Sequence, residues 1–293
     1  MCGIVGYVGK NNAQEFLLSG LKRLEYRGYD SAGVATLDQS QNPTLLRAVG
    51  KIINLEAKIK DHYTSDHIGI GHTRWATHGN PSETNAHPHH VGSIFLVHNG
   101  IIENYKALKK ELSEKYQFKS ETDTEVLAAL IDSFYQESHD LLDSVTQALK
   151  LVSGTYGIAV MSADDTEHLV VARSGSPLVI GVGEHETLIA SDASALIGNT
   201  KNAIYLNDGE VALISKDHVE VKTLDLQPVS VKVEKILTDL SAIQKGGYDH
   251  FLLKEIMEQP DSLKETLRGR INAKEHTVHL GGPNLSVKEL KEI

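Results

Sequence analysis

The sequence predicts an α+β protein with layered, mainly antiparallel sheets. Short apolar strands fill the first hundred residues, three amphipathic helices follow, and short strands separated by Gly, Asp and Asn turns return over residues 156–224. Strands, then a helical block, then strands again are typical of layered α+β folds.

The first part of the chain alternates strands with helices. Ile4 and Val5 indicate a short buried strand, and apolar residues at helical spacing predict a helix over residues 13–24 and a shorter one over residues 55–59. Residues 80–90, rich in Asn, Pro and His, form a predicted polar loop. Further strands are predicted at residues 31–37, 45–49, 67–72 and 93–98.

Three helices and six strands follow. The helices are predicted from apolar residues spaced over 105–116, 126–134 and 142–152, and Thr122 and Glu125 open the second helix with capping-box spacing. The later strands are predicted at residues 156–161, 169–172, 178–182, 187–190, 211–214 and 219–224.

The last part of the chain has a different character. Few strong apolar faces occur over residues 225–293, so this segment is not expected to fold as an independent domain. Residues 245–247 (KGG) have the composition of a hinge. Two helical pieces are predicted over residues 248–258 and 261–268, separated by Pro260 because proline lacks the N–H of a helix interior.

Composition limits the possible functions. The 293 residues carry 29 Lys and Arg against 39 Asp and Glu, without a local basic patch, so no nucleic-acid partner is expected. We find no signal peptide and no apolar run of about 20 residues, so no membrane partner is expected. A single cysteine cannot form an internal disulfide, which fits a reducing compartment. The sequence therefore predicts a cytoplasmic protein.

The single cysteine, Cys2, directly follows Met1. A small residue at position 2 favours removal of Met1, which would place a thiol and a free α-amine on one residue. Because the reference pKa of an α-amine, about 7.7–8.0, lies near that of a thiol, about 8.5, the amine can accept the thiol proton. Such a residue can be its own nucleophile and base. The first six residues leave a second interpretation equally open, a free cysteine at the start of an edge strand.

A thiolate that attacks an amide also needs oxyanion donors. Asn99 and Gly100, at the end of a predicted strand, offer a side-chain amide and a backbone N–H of the type that forms an oxyanion hole. Asn-Gly after a strand is also the strongest hairpin-turn signal, so the sequence alone favours a turn here.

Charged residues nearby could hold the two ends of an amino-acid substrate. Arg74 can bind a carboxylate through two parallel hydrogen bonds, and Trp75, Thr77 and His78 crowd the same short segment. Asp123 could hold an ammonium group. The alternatives are a surface ion pair for Arg74 and, for Asp123, a carboxylate that the helix dipole stabilises without a ligand.

Histidines cluster in and before the polar loop. His87, His89 and His90 lie close together in sequence, with His72 and His78 upstream. The spacing fits no standard zinc pattern, and Cys2 is the only thiol, so a hydrogen-bonded loop is favoured over a metal site. We therefore expect no metal and no cofactor.

Eight motifs in order along the chain match one family. They are CGIVGYVG at residues 2–9, LKRLEYRGYDSAG at 21–33, GHTRWATHG at 71–79, NAHPH at 85–89, VHNGIIEN at 97–104, SETDTE at 120–125, RSGSPLVIG at 173–181 and ASD at 190–192. The chain resembles the glutaminase half of the glutamine–fructose-6-phosphate aminotransferases, or glucosamine-6-phosphate synthases, which are class II glutamine amidotransferases. Residues 248–260 resemble that family's hinge into its sugar-phosphate isomerase half.

The resemblance implies an N-terminal-nucleophile hydrolase fold, a four-layer αββα sandwich with two mainly antiparallel sheets. It implies that Cys2 attacks the side-chain amide of L-glutamine while its own α-amine relays the proton. The Asn99 side chain and the Gly100 N–H would hold the oxyanion. Ammonia then leaves, a glutamyl thioester forms on Cys2, and water releases glutamate.

The resemblance also implies a glutamine pocket. Arg74 would bind the α-carboxylate and Asp123 the α-ammonium, while the region of Thr77 and His78 completes the pocket. The loop that carries Trp75 would close over glutamine and gate an ammonia channel to the partner half.

The resemblance divides the chain at residue 224. Residues 2–224 are expected to form the glutaminase domain, and residues 225–293 a linker or hinge and the leading segment of a sugar-isomerase half that is otherwise missing. Fructose 6-phosphate would be reached only through that missing half, and the full-length enzyme is expected to be a homo-oligomer.

Three other interpretations stay open. The chain could be the glutaminase half of a different class II amidotransferase, such as the one that aminates phosphoribosyl pyrophosphate, although residues 21–33 and 71–79 favour the sugar enzyme. If Met1 is retained, it blocks the α-amine of Cys2, and the chain could be a non-catalytic glutamine-sensing module. An N-terminal-cysteine acylase for larger amides would fit Cys2, but its substrate would offer Arg74 and Asp123 no α-carboxylate and α-ammonium to bind.

Overall fold

A computed structural model of the chain describes residues 2–76, 79–236, 248–267, 271–272 and 277–278. The chain divides into two units, Met1–Leu237 and Thr238–Ile293. Across the described ranges, no helix combines the length and the apolar content needed to cross a bilayer.

Eight antiparallel strands form the larger sheet of the first unit. They are β1 (Gly3–Gly9), β2 (Ser31–Leu37), β3 (Pro43–Val49), β4 (Ile68–Arg74), β9 (Val179–Val182), β10 (Glu186–Ala190), β11 (Asn202–Tyr205) and β14 (Glu234–Lys235). Their spatial order is β14-β11-β9-β10-β1-β4-β2-β3. The N-terminal strand therefore lies in the middle of the sheet, paired with β10 on one side and β4 on the other.

Six antiparallel strands form the second sheet. They are β5 (His89–Val91), β6 (Ile94–Ile102), β7 (Gly154–Ser162), β8 (Leu169–Ser174), β12 (Glu210–Ile214) and β13 (Val219–Thr223), in the spatial order β13-β12-β8-β7-β6-β5. Side chains along β6 alternate between two cores because successive residues of a strand point to opposite faces. Phe95 and Val97 belong to the core between the sheets, whereas Ile94 and Leu96 belong to the core under the helices.

Helices cover the outer faces of both sheets. Helices α1 (Ala13–Leu24) and α2 (Ile52–Asp61) pack on the larger sheet, and α3 (Tyr105–Leu112), α4 (Asp123–Ser138) and α5 (Leu141–Lys150) lie on the smaller one. The backbone of α1 comes close to β1 at Gly20, where a Cβ would lie 2.8 Å from the Val5 side chain. The first unit is therefore an αββα sandwich, as expected.

All the helices and strands predicted between residues 4 and 224 are present, and three short strands described in the first unit were missed. Strands β5, β11 and β14 have two to four residues each, too few to show a clear alternation. The hairpin-turn interpretation of Asn99 and Gly100 is wrong. Strand β6 continues through both residues, which pair with Gly157 and Tyr156 of β7.

In the second unit, the described residues form helix α6 (Phe251–Leu267) and a two-stranded antiparallel pair, β15 (Ile271–Asn272) and β16 (Thr277–Val278). The predicted break at Pro260 is wrong, since α6 is continuous through it. An interior proline removes one helical hydrogen bond and bends the helix, but it does not have to end it. The predicted hinge at residues 245–247 lies outside the described residues, and the domain assignment of residues 225–293 stays a prediction.

The core between the sheets should carry much of the stability of the first unit. Ile70 is fully buried in it, whereas Ile53 on α2 is 61% exposed. We expect Ile70→Ala to lower the free energy of unfolding by about 2–5 kcal/mol, because it removes buried methyl groups and leaves a cavity. The control Ile53→Ala should cost less than about 1 kcal/mol. Urea unfolding followed by circular dichroism measures both, and equal losses would contradict the assignment of this core.

Candidate active site

The pairing of β1 with β4 places Cys2 next to the end of β4. Gly3 pairs with Thr73, and its N–H donates to Thr73 Oγ1 at 3.1 Å. The next residues on β4's side are Arg74 and Trp75, and the Trp75 N–H donates to Cys2 Sγ at 3.1 Å. The thiol is thus held against the backbone of the segment that carries the predicted carboxylate-binding arginine.

A turn before β2 packs against the backbone of residues 74–76 and fixes its position. Asp30 donates its N–H to the Arg74 carbonyl at 3.0 Å, and its carboxylate accepts from the Ala76 N–H at 2.8 Å. Gly28 lies so close that a Cβ there would be 2.8 Å from the Arg74 carbonyl carbon and 2.9 Å from Trp75 N. The backbone around Cys2 Sγ therefore depends on a glycine and a carboxylate of the motif at residues 21–33.

The environment of the thiol has opposing electrostatic effects. Burial raises the pKa of Cys2, while the Trp75 N–H and the charge of Arg74 act to lower it. Burial is the largest effect, so the thiol form is favoured at neutral pH. A nucleophile in this position needs a base, and Met1, whose removal would expose the α-amine of Cys2, lies outside the described residues.

Asn99 reaches Cys2 from the other sheet. Its Nδ2 donates to the Cys2 carbonyl at 3.1 Å, so the amide lies beside the backbone of Cys2. The next residue, Gly100, has a φ of +137°, a conformation that other residues rarely adopt, and a Cβ there would clash with the Thr155 carbonyl of β7. The Asn-Gly pair therefore marks a local distortion within β6 at the active site.

Arg74 and Asp123 are both buried at this site, with exposed fractions of 4% and 7%. Burial lowers the pKa of the Arg74 guanidinium, and the charges of nearby carboxylates, Asp123 among them, act against that shift. Asp123 is the first residue of α4, and its carboxylate accepts from the Ile102 N–H at 2.8 Å. Thr122 caps this helix by accepting from the Glu125 N–H, so the predicted capping box is present in its first half.

The second hydrogen bond of a capping box would run from the N–H of the N-cap residue, Thr122, to the Glu125 carboxylate, and here the Glu125 carboxylate has other partners. The Glu125 carboxylate accepts from the N–H groups of Lys119 and Ser120 and from the Ser120 hydroxyl, rather than from the N-cap residue. These three bonds fix the chain that enters α4, and with it the position of Asp123.

One small cavity is lined by five of the predicted site residues, and Asn99 is not part of that lining. Its volume is about 40 Å³, and it is lined by Cys2, Arg74, Trp75, His87, His98, Gly100, Thr122, Asp123 and Thr124. That volume holds only a few water molecules, so an amino-acid substrate requires side chains to move. Trp75 has the most exposed side chain of the lining, at 46%, and its ring contacts the Tyr29 ring edge-on at 5.7 Å between centroids. Thr77 and His78 lie outside the described residues.

Four buried histidines make hydrogen-bond contacts around the cavity, and three of them, His72, His87 and His89, belong to the cluster that the sequence indicated. His89 Nε2 lies 2.9 Å from Thr122 Oγ1, and His87 Nδ1 lies 3.2 Å from His72 Nε2. His98 Nδ1 lies 3.1 Å from Thr124 Oγ1. In the part of the chain that the structure describes, no group of three or more His, Cys, Asp or Glu is arranged to hold a metal ion.

The contact of His72 with Asn99 and the contacts of Asp30 were not predicted from the sequence. His72 Nε2 lies 3.0 Å from Asn99 Oδ1. Their only sequence signal was membership of the matched motifs, because strand register decides which side chains meet.

Comparison with known protein families shows which family this chain belongs to. The profile of the glutamine amidotransferase domain matches residues 33–247. The chain belongs to this family. Two similar curated amidotransferases are the glutamine–fructose-6-phosphate aminotransferases (isomerizing) of Chlorobaculum tepidum and Methanosarcina acetivorans. They are 48% and 47% identical, and the match covers 100% of this chain and 48% and 49% of theirs. The chain thus spans about half the length of these relatives.

Solved amidotransferase structures share the fold. The glutamine phosphoribosylpyrophosphate amidotransferase of B. subtilis, in complex with ADP and GMP, superposes with a TM-score of 0.66 at 27% identity. The match covers 78% of this chain and 50% of that one. An allosteric regulatory enzyme of purine biosynthesis gives the same TM-score at 28% identity. The sandwich of this amidotransferase domain is therefore the N-terminal-nucleophile fold that the sequence predicted.

The neutral histidines predict how the stability of this amidotransferase domain depends on pH. Burial lowers the pKa of His72 to about 3 and lowers those of His87, His89 and His98 as well. Between pH 6.5 and the folded-state pKa, the unfolded chain binds protons that the folded chain does not, so stability falls as the pH falls. For His72 alone the loss from pH 7.5 to pH 5 is roughly 2 kcal/mol.

Urea unfolding at a series of pH values measures this dependence. His72→Gln, which cannot titrate, should flatten the slope by about one proton relative to the wild type. An unchanged slope in that variant would contradict a neutral, buried His72.

Proposed function

We propose that this chain hydrolyses the side-chain amide of L-glutamine to glutamate and ammonia. The observation that supports this best is the convergence of Cys2, a buried guanidinium (Arg74) and a buried carboxylate (Asp123) on one cavity. The Asn99 amide donates to the Cys2 carbonyl beside this cavity. Arg74 and Asp123 are complementary to the α-carboxylate and α-ammonium of an amino acid.

The chemistry follows from these positions. Once Met1 is removed, the α-amine of Cys2 takes the thiol proton, and the sulfur attacks the amide carbon of glutamine. The Asn99 amide and the Gly100 N–H stabilise the oxyanion of the tetrahedral intermediate. The proton passes from the α-amine to the leaving nitrogen, ammonia departs, and a glutamyl thioester remains on Cys2. Water then attacks the thioester, which restores the thiol and releases glutamate.

The remaining predicted residues complete this proposal. Thr77 and His78 are assigned to the glutamine pocket, next to Arg74 in sequence. Trp75 is the side chain that moves to admit glutamine and then covers it, because it is the most exposed side chain in the lining of a cavity too small for the substrate.

For the longer protein, we propose a role in glucosamine-6-phosphate synthesis. The curated relatives at 47–48% identity are named as glutamine–fructose-6-phosphate aminotransferases, and this chain matches the half that would supply ammonia. In this proposal residues 2–224 form the glutaminase domain, and residues 225–293 lead into an isomerase half that binds fructose 6-phosphate. The assembled enzyme is a cytoplasmic homo-oligomer.

A second candidate is the glutaminase half of another class II amidotransferase, which the structural likeness to phosphoribosylpyrophosphate amidotransferase supports at lower identity. A third, a glutamine-sensing module without catalysis, would apply to a chain that keeps Met1, since the α-amine of Cys2 would then be part of a peptide bond.

The nucleophile can be tested by mass spectrometry of the intact protein. Treatment with a diazoketone analogue of glutamine should add one adduct to a chain that has lost Met1, and glutamate release from glutamine should be measurable in the same preparation. Cys2→Ala should abolish both the adduct and the activity. A chain without Met1 that neither takes the label nor releases glutamate would overturn the glutaminase proposal, whereas a chain that keeps Met1 should regain both properties after trimming.

Binding of the α-carboxylate can be tested at Arg74. Arg74→Lys keeps the charge but loses the paired hydrogen bonds, so we expect KM for glutamine to rise about 10-fold to 100-fold, which corresponds to about 1.4–2.8 kcal/mol. The control is Arg173→Lys, since Arg173 pairs with Asp208 at the surface, outside the lining of the cavity. Steady-state glutaminase assays give KM for glutamine in both variants and in the wild type. An unchanged KM in Arg74→Lys would exclude a paired contact with the substrate.

A further inference from the structure

His72 and Asn99 make a hydrogen-bond contact that joins the two sheets at the active site. His72 belongs to β4 of the larger sheet and Asn99 to β6 of the smaller one, and the distance from His72 Nε2 to Asn99 Oδ1 is 3.0 Å. His72 is fully buried, with an exposed fraction of 0%. The histidine end of the contact is therefore shielded from water, and the contact ties the orientation of the amide to the imidazole.

The orientation of the Asn99 amide follows from its two partners. The Cys2 carbonyl can only accept a hydrogen bond, so the amide nitrogen faces Cys2 at 3.1 Å and the amide oxygen faces His72. A rotation of the amide by 180° would place two acceptors, the amide oxygen and the Cys2 carbonyl, against each other.

The same reasoning fixes the tautomer of His72. The Asn99 oxygen can only accept, so Nε2 of His72 carries the proton and donates it. Burial keeps this imidazole neutral at pH 7 although the His98 backbone acts to raise its pKa, so Nδ1 carries no proton, and no group in the part of the chain that the structure describes has hydrogen-bond geometry to the buried Nδ1. His87 Nδ1, 3.2 Å from the same Nε2, then acts as a second acceptor.

We propose that His72 is a positioning residue for glutamine hydrolysis, which donates Nε2–H to Asn99 Oδ1 and so aims the amide nitrogen of Asn99 at the oxyanion. This inference rests on the proposed glutaminase function. His72 does not line the cavity and has no contact with the reacting atoms in this arrangement. Its effect is to hold the amide in one of two rotational states before the substrate arrives, so that the donor does not have to reorient during the reaction.

The matched variants are His72→Leu, which removes the donor, and His72→Gln, which keeps an N–H₂ group the same number of bonds from Cα as Nε2. A lost oxyanion-hole donor costs about 10²–10³-fold in kcat, so a misaligned one should cost about 10-fold to 100-fold. We expect this loss in kcat for His72→Leu, with KM for glutamine within about threefold, and recovery of at least about 10-fold in His72→Gln. His168→Leu and His168→Gln, at a surface histidine paired with Asp165, should match the wild type.

A double-mutant cycle separates positioning from a general structural effect. In an Asn99→Ala background, His72→Leu should have little further effect on kcat, because the group that it orients is absent. If the two losses multiply, His72 acts independently of Asn99, and the proposal is wrong. Equal activities of His72→Leu and the wild type would also overturn it.

The tautomer can be measured in the wild-type protein without a working variant or an active enzyme. ¹⁵N spectra of histidine-labelled protein distinguish a protonated ring nitrogen from an unprotonated one, and the His72 signals are those lost in His72→Gln. Protonation of Nε2 alone supports the proposal, and protonation of Nδ1 refutes it. If the wild type shows the expected tautomer but releases no glutamate, the glutaminase proposal fails while the geometric assignment stands.

Discussion

The antiparallel pairing of β1 with β4 is the constraint on which the site depends. It places the first residues of the chain in the middle of an eight-stranded sheet, where both neighbours fix their position. A chain terminus is usually poorly ordered unless it is tied into such a structure. Because Gly3 is hydrogen-bonded to Thr73, the Cys2 thiol lies against the Trp75 N–H and gains a fixed position that a free terminus would not have.

Burial gives this site its geometry and also makes its chemistry harder. The surroundings that hold the thiol raise its pKa and favour the unreactive protonated form. The Trp75 N–H and the positive charge of Arg74 reduce this penalty, and both come from the segment that follows β4. The histidines show the same principle without a reactive role, since burial keeps them neutral and therefore able to both donate and accept hydrogen bonds.

The sequence predicted the fold class and nearly every long element, and five residues of the cavity lining, Cys2, Arg74, Trp75, Gly100 and Asp123, were among its site candidates. Periodicity was sufficient for the helices and for strands with a clear apolar pattern. Prediction from the sequence failed where the local conformational preference of a residue and its tertiary context disagree. Asn99-Gly100 has the composition of a hairpin turn, but pairing with β7 carries β6 through it. Likewise, Pro260 does not end its helix. The His72–Asn99 contact could not be predicted, because it depends on how two sheets superpose.

The close approach of two backbone segments, one in β2 and one in the polar loop before β5, explains how that loop can lie beneath this site. Gly33 of β2 pairs with His72 of β4, and a Cβ at Gly33 would clash with the carbonyl of His87. The absence of a side chain at that one position lets the loop before β5 come against the sheet and places the His87 ring 4.2 Å from the His72 ring. Glycine within a strand is normally unfavourable for stability, by roughly 0.5–1 kcal/mol relative to alanine. In this strand it makes room for the buried imidazoles. Among them, His72 of the larger sheet contacts the Asn99 amide, and His89 of the smaller sheet contacts Thr122, the residue that caps α4.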